Sequence, residues 1–196
     1  MNNHYYDYGP QQPLQRPVVL SGFFGSHPEQ VGHAVAALTG LPFLSLARLV
    51  EHRAGASLAK ILAAGGRQRL AALEIASLRE QLPCQPYALI AVAEGTVLQP
   101  GHLQAMAARA RHLHLGAALV ESFWRVRREL QRSPGRYGPF LTTPPARVED
   151  LEALYQDRAA GYGAAELTIP VAGLDALSSA RAVLGALRLT AGGAPS

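Results

Sequence analysis

Short apolar runs alternate along the chain with stretches of helical period. The runs at 18–20, 42–46, 87–93, 112–115 and 167–171 have strand length and read as five β-strands. Between them, Val31, Val35 and Leu38 mark one apolar helix face. Leu119, Phe123, Val126 and Leu130 mark a second, and Leu177, Ala180, Leu184 and Leu187 a third. Nearly continuous apolar strands separated by helices imply βαβ units, so the expected class is α/β, a three-layer αβα arrangement around a mostly parallel five-stranded sheet. The one long irregular stretch, 132–147, carries Ser133-Pro134-Gly135-Arg136-Tyr137-Gly138-Pro139 and is expected to form a lid.

Composition adds boundaries to this pattern. At 196 residues and 48% hydrophobic content, the chain suits one domain with a substantial core, here placed at 17–189. Residues 1–16 are polar and rich in Tyr, Gln, Asn and Pro, which predicts a disordered tail whose Tyr5, Tyr6 and Tyr8 are available to dock on a partner. Residues 190–196 are expected to be a flexible end. No apolar run approaches a membrane span and no apolar leader is seen, so neither a membrane partner nor export is expected, and the default location is cytoplasmic. Cys84, the single cysteine, excludes an intramolecular disulfide and a cysteine-rich metal site. A net charge of +4 is too modest to argue for nucleic acid.

The informative segment follows the first apolar run: Gly22-Phe23-Phe24-Gly25-Ser26-His27-Pro28-Glu29. A phosphate-binding P-loop reads G-x-x-x-x-G-K-[ST], with a lysine for the phosphates and a hydroxyl for Mg²⁺. Here Gly22 keeps the first glycine, while His27, Pro28 and Glu29 stand at the second glycine, the lysine and the hydroxyl. Pro28 removes one N–H and biases His27 away from helical geometry. Glu29 is expected to put a carboxylate where the triphosphate charge would lie. Ser26-x-x-Glu29 also fits a capping box, which predicts a helix start capped by its own side chains.

With its flanking segments, the chain resembles the shikimate kinase family. Leu20-Ser21-Gly22-Phe23-Phe24-Gly25-Ser26 followed by Val31-Gly32 is similar to the family's strand and G-F-M-G-S-G-K-S-T-V-G. Leu38-Thr39-Gly40-Leu41-Pro42-Phe43 matches L-G-x-P-F, and Glu51-His52-Arg53-Ala54-Gly55-Ala56-Ser57-Leu58 resembles E-x-R-A-G-x-S-I. The resemblance implies a P-loop kinase fold over roughly 17–189. It also implies ligand positions, and these have changed together. The D-x-D for Mg²⁺ and substrate is Ser45-Leu46-Ala47, the arginine of F-R-x-L-E is Ala71, and G-G-G is Ala93-Glu94-Gly95. The arginine of the lid's R-P-L-L falls at Gly138, and that of R-x-P-L-Y at Leu151. By this comparison Glu74 has lost an arginine partner.

Lys60, the only lysine, lies in a different helix and reads as a solvated charge. Arg125, Arg127, Arg128, Arg132 and Arg136 form the densest basic cluster; Arg128, Arg132 and Arg136 are candidates for an anion or acidic-protein contact, against a solvated helix face. His112 and His114 share one face of a strand without a third metal ligand, and His27, Glu29 and His33 are a metal or acid–base candidate at the loop mouth, against solvated side chains. Trp124 reads as core. No catalytic residue, cofactor or metal is expected. The resulting expectation is an inactive, pseudokinase-like member working as a regulatory module that contacts another protein. Two alternatives stay open: a divergent shikimate or small-molecule kinase using Arg132 or Arg136 as substitute cation, and a sensor of an apolar or neutral small molecule in the former substrate cleft.

Overall fold

In a computed structural model, residues 14–141 and 143–188 are described; Tyr5, Tyr6, Tyr8 and residues 190–196 lie outside them. The first strand, β1 (Val18–Gly22), is buried at every position and sits in the middle of the sheet. The order is β2-β3-β1-β4-β5, with β2 (Phe43–Ser45), β3 (Leu89–Ala91), β4 (Arg111–Gly116) and β5 (Leu167–Pro170). Every pairing is parallel, with Val18 opposite Leu89 on one side and Arg111 on the other. The α/β class and the five strands therefore stand as expected, with strand ends shifted by a residue or more. The largest shift is at 87–93, where the strand keeps only Leu89–Ala91; at 42–46, Leu46 already opens a helix.

Alternation along β1 divides the core. Val18 and Leu20 face α1 (Pro28–Thr39) and α7 (Ala176–Leu187), joining Val31, Val35, Ala180 and Val183. Val19 faces the opposite layer, where Leu78 and Leu82 of α3 (Leu58–Cys84) and Met106 of α4 (Pro100–Ala107) cover it. Leu14, ahead of β1, is also buried against the first of these clusters. A short helix, α2 (Leu46–Ala54), packs with α3 around Val50, Leu58 and Ile61. Gly66 interrupts α3 with φ 64 and ψ −169, which breaks the helix into two segments. The remaining helices, α5 (Leu119–Arg132) and α6 (Glu149–Gly163), flank the segment 133–148. No helix among the described residues is long and apolar enough to cross a membrane.

Candidate functional site

The loop leaving β1 turns sharply at Gly22, where any Cβ would lie 2.0 Å from Ser26 Oγ. Gly25 (φ 85) and His27 (φ 53) are both left-handed. Alternation of hand turns successive N–H groups toward one point, the geometry of an anion nest at a helix start. His27, a non-glycine residue held there, is the helix N-cap and makes no side-chain cap bond. Pro28 at the first helical position explains it, since proline keeps the preceding residue out of right-handed helical space.

The nest is filled from within. Gly25 N and His27 N donate to one oxygen of Glu94, at 3.0 and 2.9 Å. Glu94 follows β3, so the adjacent parallel strand delivers its carboxylate to the loop. Three expectations are corrected here. The Ser26–Glu29 capping box does not form, because Ser26 Oγ donates to Phe23 O at 2.6 Å. Glu29 does not supply the opposing charge; it turns outward to Arg48 at 3.8 Å. His27, Glu29 and His33 line one cleft but do not converge, as His33 packs on Phe43 with ring centroids 4.1 Å apart.

Around Glu94 a network ties the loop to α5 and to the segment 133–141 that follows it. Arg136 Nη2 donates to the second oxygen of Glu94 at 3.2 Å. His27 Nε2 lies 2.8 Å from Glu129, and its Nδ1 lies 3.3 Å from Glu94. Tyr137 is buried, donates its hydroxyl to Glu129 and sets its ring edge-on to Phe24, centroids 5.4 Å apart. Burial alone would lower the His27 pKa, but the carboxylates of Glu129 and Glu94 outweigh it and raise it to about 9. Burial likewise works to raise Glu129, yet hydrogen bonds from His27 and Tyr137 and the charge of Arg136 hold it below its usual value. His27 is thus an imidazolium at neutral pH and donates from both nitrogens. Arg136 at 3.2 Å from Nδ1 is then a packing neighbour, and its hydrogen bond goes to Glu94.

Beside this network lies a cleft of about 360 Å³, with an apolar wall that includes Leu70, Ala71, Val97 and Phe140. Its polar side was only partly legible. Glu74 is not without partners, since it accepts from Thr96 Oγ1 at 3.1 Å and meets His102 Nε2 at 3.1 Å. Arg158, unnoticed in the sequence, is 1% exposed and clamps α6 to the β3–α4 loop through Nε and Nη2, both donating to Gly95 O at 2.9 and 2.7 Å. A further nitrogen donates to Leu154 O, and Phe24 lies 5.5 Å below the guanidinium. The signal existed: Arg158 lies seven residues beyond Leu151, on the same face of the same helix. Leu151 itself is fully buried among Phe23, Phe123 and Tyr162. Gly95 is left-handed with Phe24 and Phe140 within 2.7 Å of any Cβ, which keeps the loop close beneath the lid.

The other candidates separate. Ser45 caps α2 by accepting from Arg48 N at 3.3 Å, while Ala47, Ala93 and Gly138 line a second cleft beside Glu94. Of the arginine cluster, Arg125 and Arg136 reach the loop: Arg125 donates to Gly25 O and to Leu174 O, and Arg136 to Glu94, while Arg128 and Arg132 are exposed. Lys60 is exposed. Trp124 is 59% exposed, not core, because its helix face turns from the cluster that holds Phe123. His112 and His114 converge on Ser21 Oγ, at 2.7 and 3.3 Å, beneath α6. Burial pushes both histidines down to about 4, and no group of three metal-binding side chains occurs among the described residues.

A central β1 leading through a glycine turn into a helix, in a parallel sheet of order β2-β3-β1-β4-β5, defines a P-loop kinase fold. The family model for shikimate kinase matches residues 29–187, beginning just past the loop. The chain belongs to the shikimate kinase family. It is 31% identical over 159 residues to a shikimate kinase of Synechococcus sp. (strain JA-3-3Ab), covering 79% of this chain and 77% of that one. It is also 31% identical over 161 residues to one of Geobacter sulfurreducens, covering 81% and 83%. Among solved structures, shikimate kinase from Acinetobacter baumannii in complex with shikimate aligns with a TM-score of 0.72 at 21% identity, covering 88% of this chain and 93% of that one. The enzyme from Bacteroides thetaiotaomicron aligns at 0.73 and 18%, covering 89% and 99%.

Mg²⁺-ATP, which such a family implies, does not fit the residues present. The nest donors are engaged by Glu94, and residues 22–29 include no lysine.

Proposed function

We propose that this chain is a catalytically inactive member of the shikimate kinase family, acting as a regulatory or protein-interaction module. The observation that carries this reading is the Glu94 carboxylate seated on the N–H groups of Gly25 and His27. Phosphoryl transfer rests on charge neutralisation and positioning, and a fixed carboxylate at that point repels the phosphates it would have to hold. The partner is another protein, for which exposed Trp124, Arg128 and Arg132 offer an aromatic and basic contact surface. The relatives' name, shikimate kinase, speaks for the divergent-kinase alternative. Its substitute cation would be Arg136, but that guanidinium is already engaged by Glu94. A coupled assay of ADP release with Mg²⁺, ATP and shikimate is expected to give no turnover above the ATP blank. Turnover that Arg136→Ala abolishes would establish the kinase instead.

One observation favours a second reading, a ligand-binding cleft. Arg158 is a buried cation with no carboxylate within ion-pair distance among the described residues, and Arg67 lines the same cleft. This changes the expected ligand from neutral to a small carboxylate with an apolar body. Thermal-shift screening of aromatic carboxylates against their amides tests it, and equal shifts for both would count against it.

A further inference from the structure

We propose that Glu94 is an internal ligand: it keeps an otherwise competent oxyanion site filled and, through Arg136, holds the lid shut without any bound molecule. The proposal rests on the inactive reading above and adds how that state is maintained. Three features support it independently of the sequence comparison. The donors of the nest remain in place, since Gly25 N and His27 N both aim at one Glu94 oxygen from left-handed residues. The surroundings are cationic, with the His27 imidazolium and Arg136 touching the same carboxylate. The Glu94 side chain is only 9% exposed, so it is seated in the nest and not draped across it.

The lid follows from the same contacts. Arg136 and Tyr137 belong to the segment after α5; Glu94 holds Arg136 at 3.2 Å, with Glu129 farther off at 3.9 Å, and Glu129 holds Tyr137. Phe140, three residues on, lines both clefts and lies 2.7 Å from where a Gly95 Cβ would stand. Release of Glu94 therefore frees the arginine that pins the lid. It also uncovers a nest sized for one oxyanion, with a helix N-terminus behind it. A phosphate group entering there would meet the two N–H donors, His27 and Arg136, and would restore the pin.

The test uses the full chain and inorganic phosphate, with trypsin as the lid probe because Arg136 is itself a cleavage site. In Glu94→Ala, cleavage after Arg136 is expected to accelerate at least tenfold over wild type, and phosphate is expected to restore protection saturably. Calorimetry should show phosphate binding to Glu94→Ala at least tenfold tighter than to wild type. Adding Arg136→Ala should weaken it again. Glu94→Gln keeps an acceptor for both N–H groups without the charge. It is expected to stay folded and resist phosphate, and it serves as the folded reference should the alanine variant melt early. In that event Glu94→Ser, assayed below its melting temperature, replaces alanine. The proposal is overturned if folded Glu94→Ala or Glu94→Ser binds phosphate no better than wild type, or if its lid is cleaved at the wild-type rate. Neither result touches the inactive reading, which fails only if the wild-type chain binds Mg²⁺-ATP or turns over.

Discussion

His27 joins the loop, α5 and the lid through a single ring, and its charge is what the joint depends on. Its folded pKa is raised to about 9 from an ordinary 6.5. The stability it contributes is therefore fully present below pH 6.5 and lost as pH rises through 9. Chemical denaturation across that window is expected to show a decline in wild type and a nearly flat profile in His27→Gln, which cannot become charged. A decline of equal size in the variant would remove His27 as its source. Trp124 offers a second check at this scale. Being 59% exposed, it is expected to show red-shifted emission and ready quenching by iodide, whereas blue-shifted, protected emission would place it in an interface.

Among the elements, α6 and the lid are held by polar contacts whose removal should be felt locally. Arg158→Met takes the donors from Gly95 O and Leu154 O. Leu154 O keeps its helical N–H partner, so Gly95 O is the buried carbonyl left unsatisfied, and a loss of about 1–3 kcal/mol is expected in urea unfolding. Tyr137→Phe removes only the bond to Glu129 and should cost about 1 kcal/mol, while speeding tryptic cleavage after Arg136. These elements also mark where the sequence stopped being legible. The apolar faces of α1, α5 and α7 could be read because burial imposes a period on each. The start of α1 could not, because Ser26-x-x-Glu29 is a local pattern and the loop's N–H groups took their acceptor from Glu94, far along the chain. Trp124 failed similarly: it lies one position beside Phe123, and only packing decides which ring turns inward.

For the whole molecule, strand count and the parallel sheet were readable, since each is a pattern of residue types in series. The contacts of Glu94, Arg158 and the Glu74–His102 pair were not, because they act between segments distant in sequence. The buried pair His112 and His114 gives a global prediction. Both have folded pKa values lowered by burial to about 4, so the unfolded chain takes up protons first. Their contribution to stability is expected to be full above pH 6.5 and to fall as pH drops from 6.5 toward 4. The upper part of that window precedes most carboxylate titration. His112→Asn should flatten the slope between pH 6.5 and 5; an unchanged slope would assign it elsewhere.

Under the inactive reading proposed above, the Glu94 carboxylate that fills the loop excludes a nucleotide. Isothermal calorimetry of the wild-type chain with ATP and Mg²⁺ tests it most directly. No saturable heat is expected at millimolar nucleotide, with or without metal. Micromolar binding that requires Mg²⁺ would contradict the account.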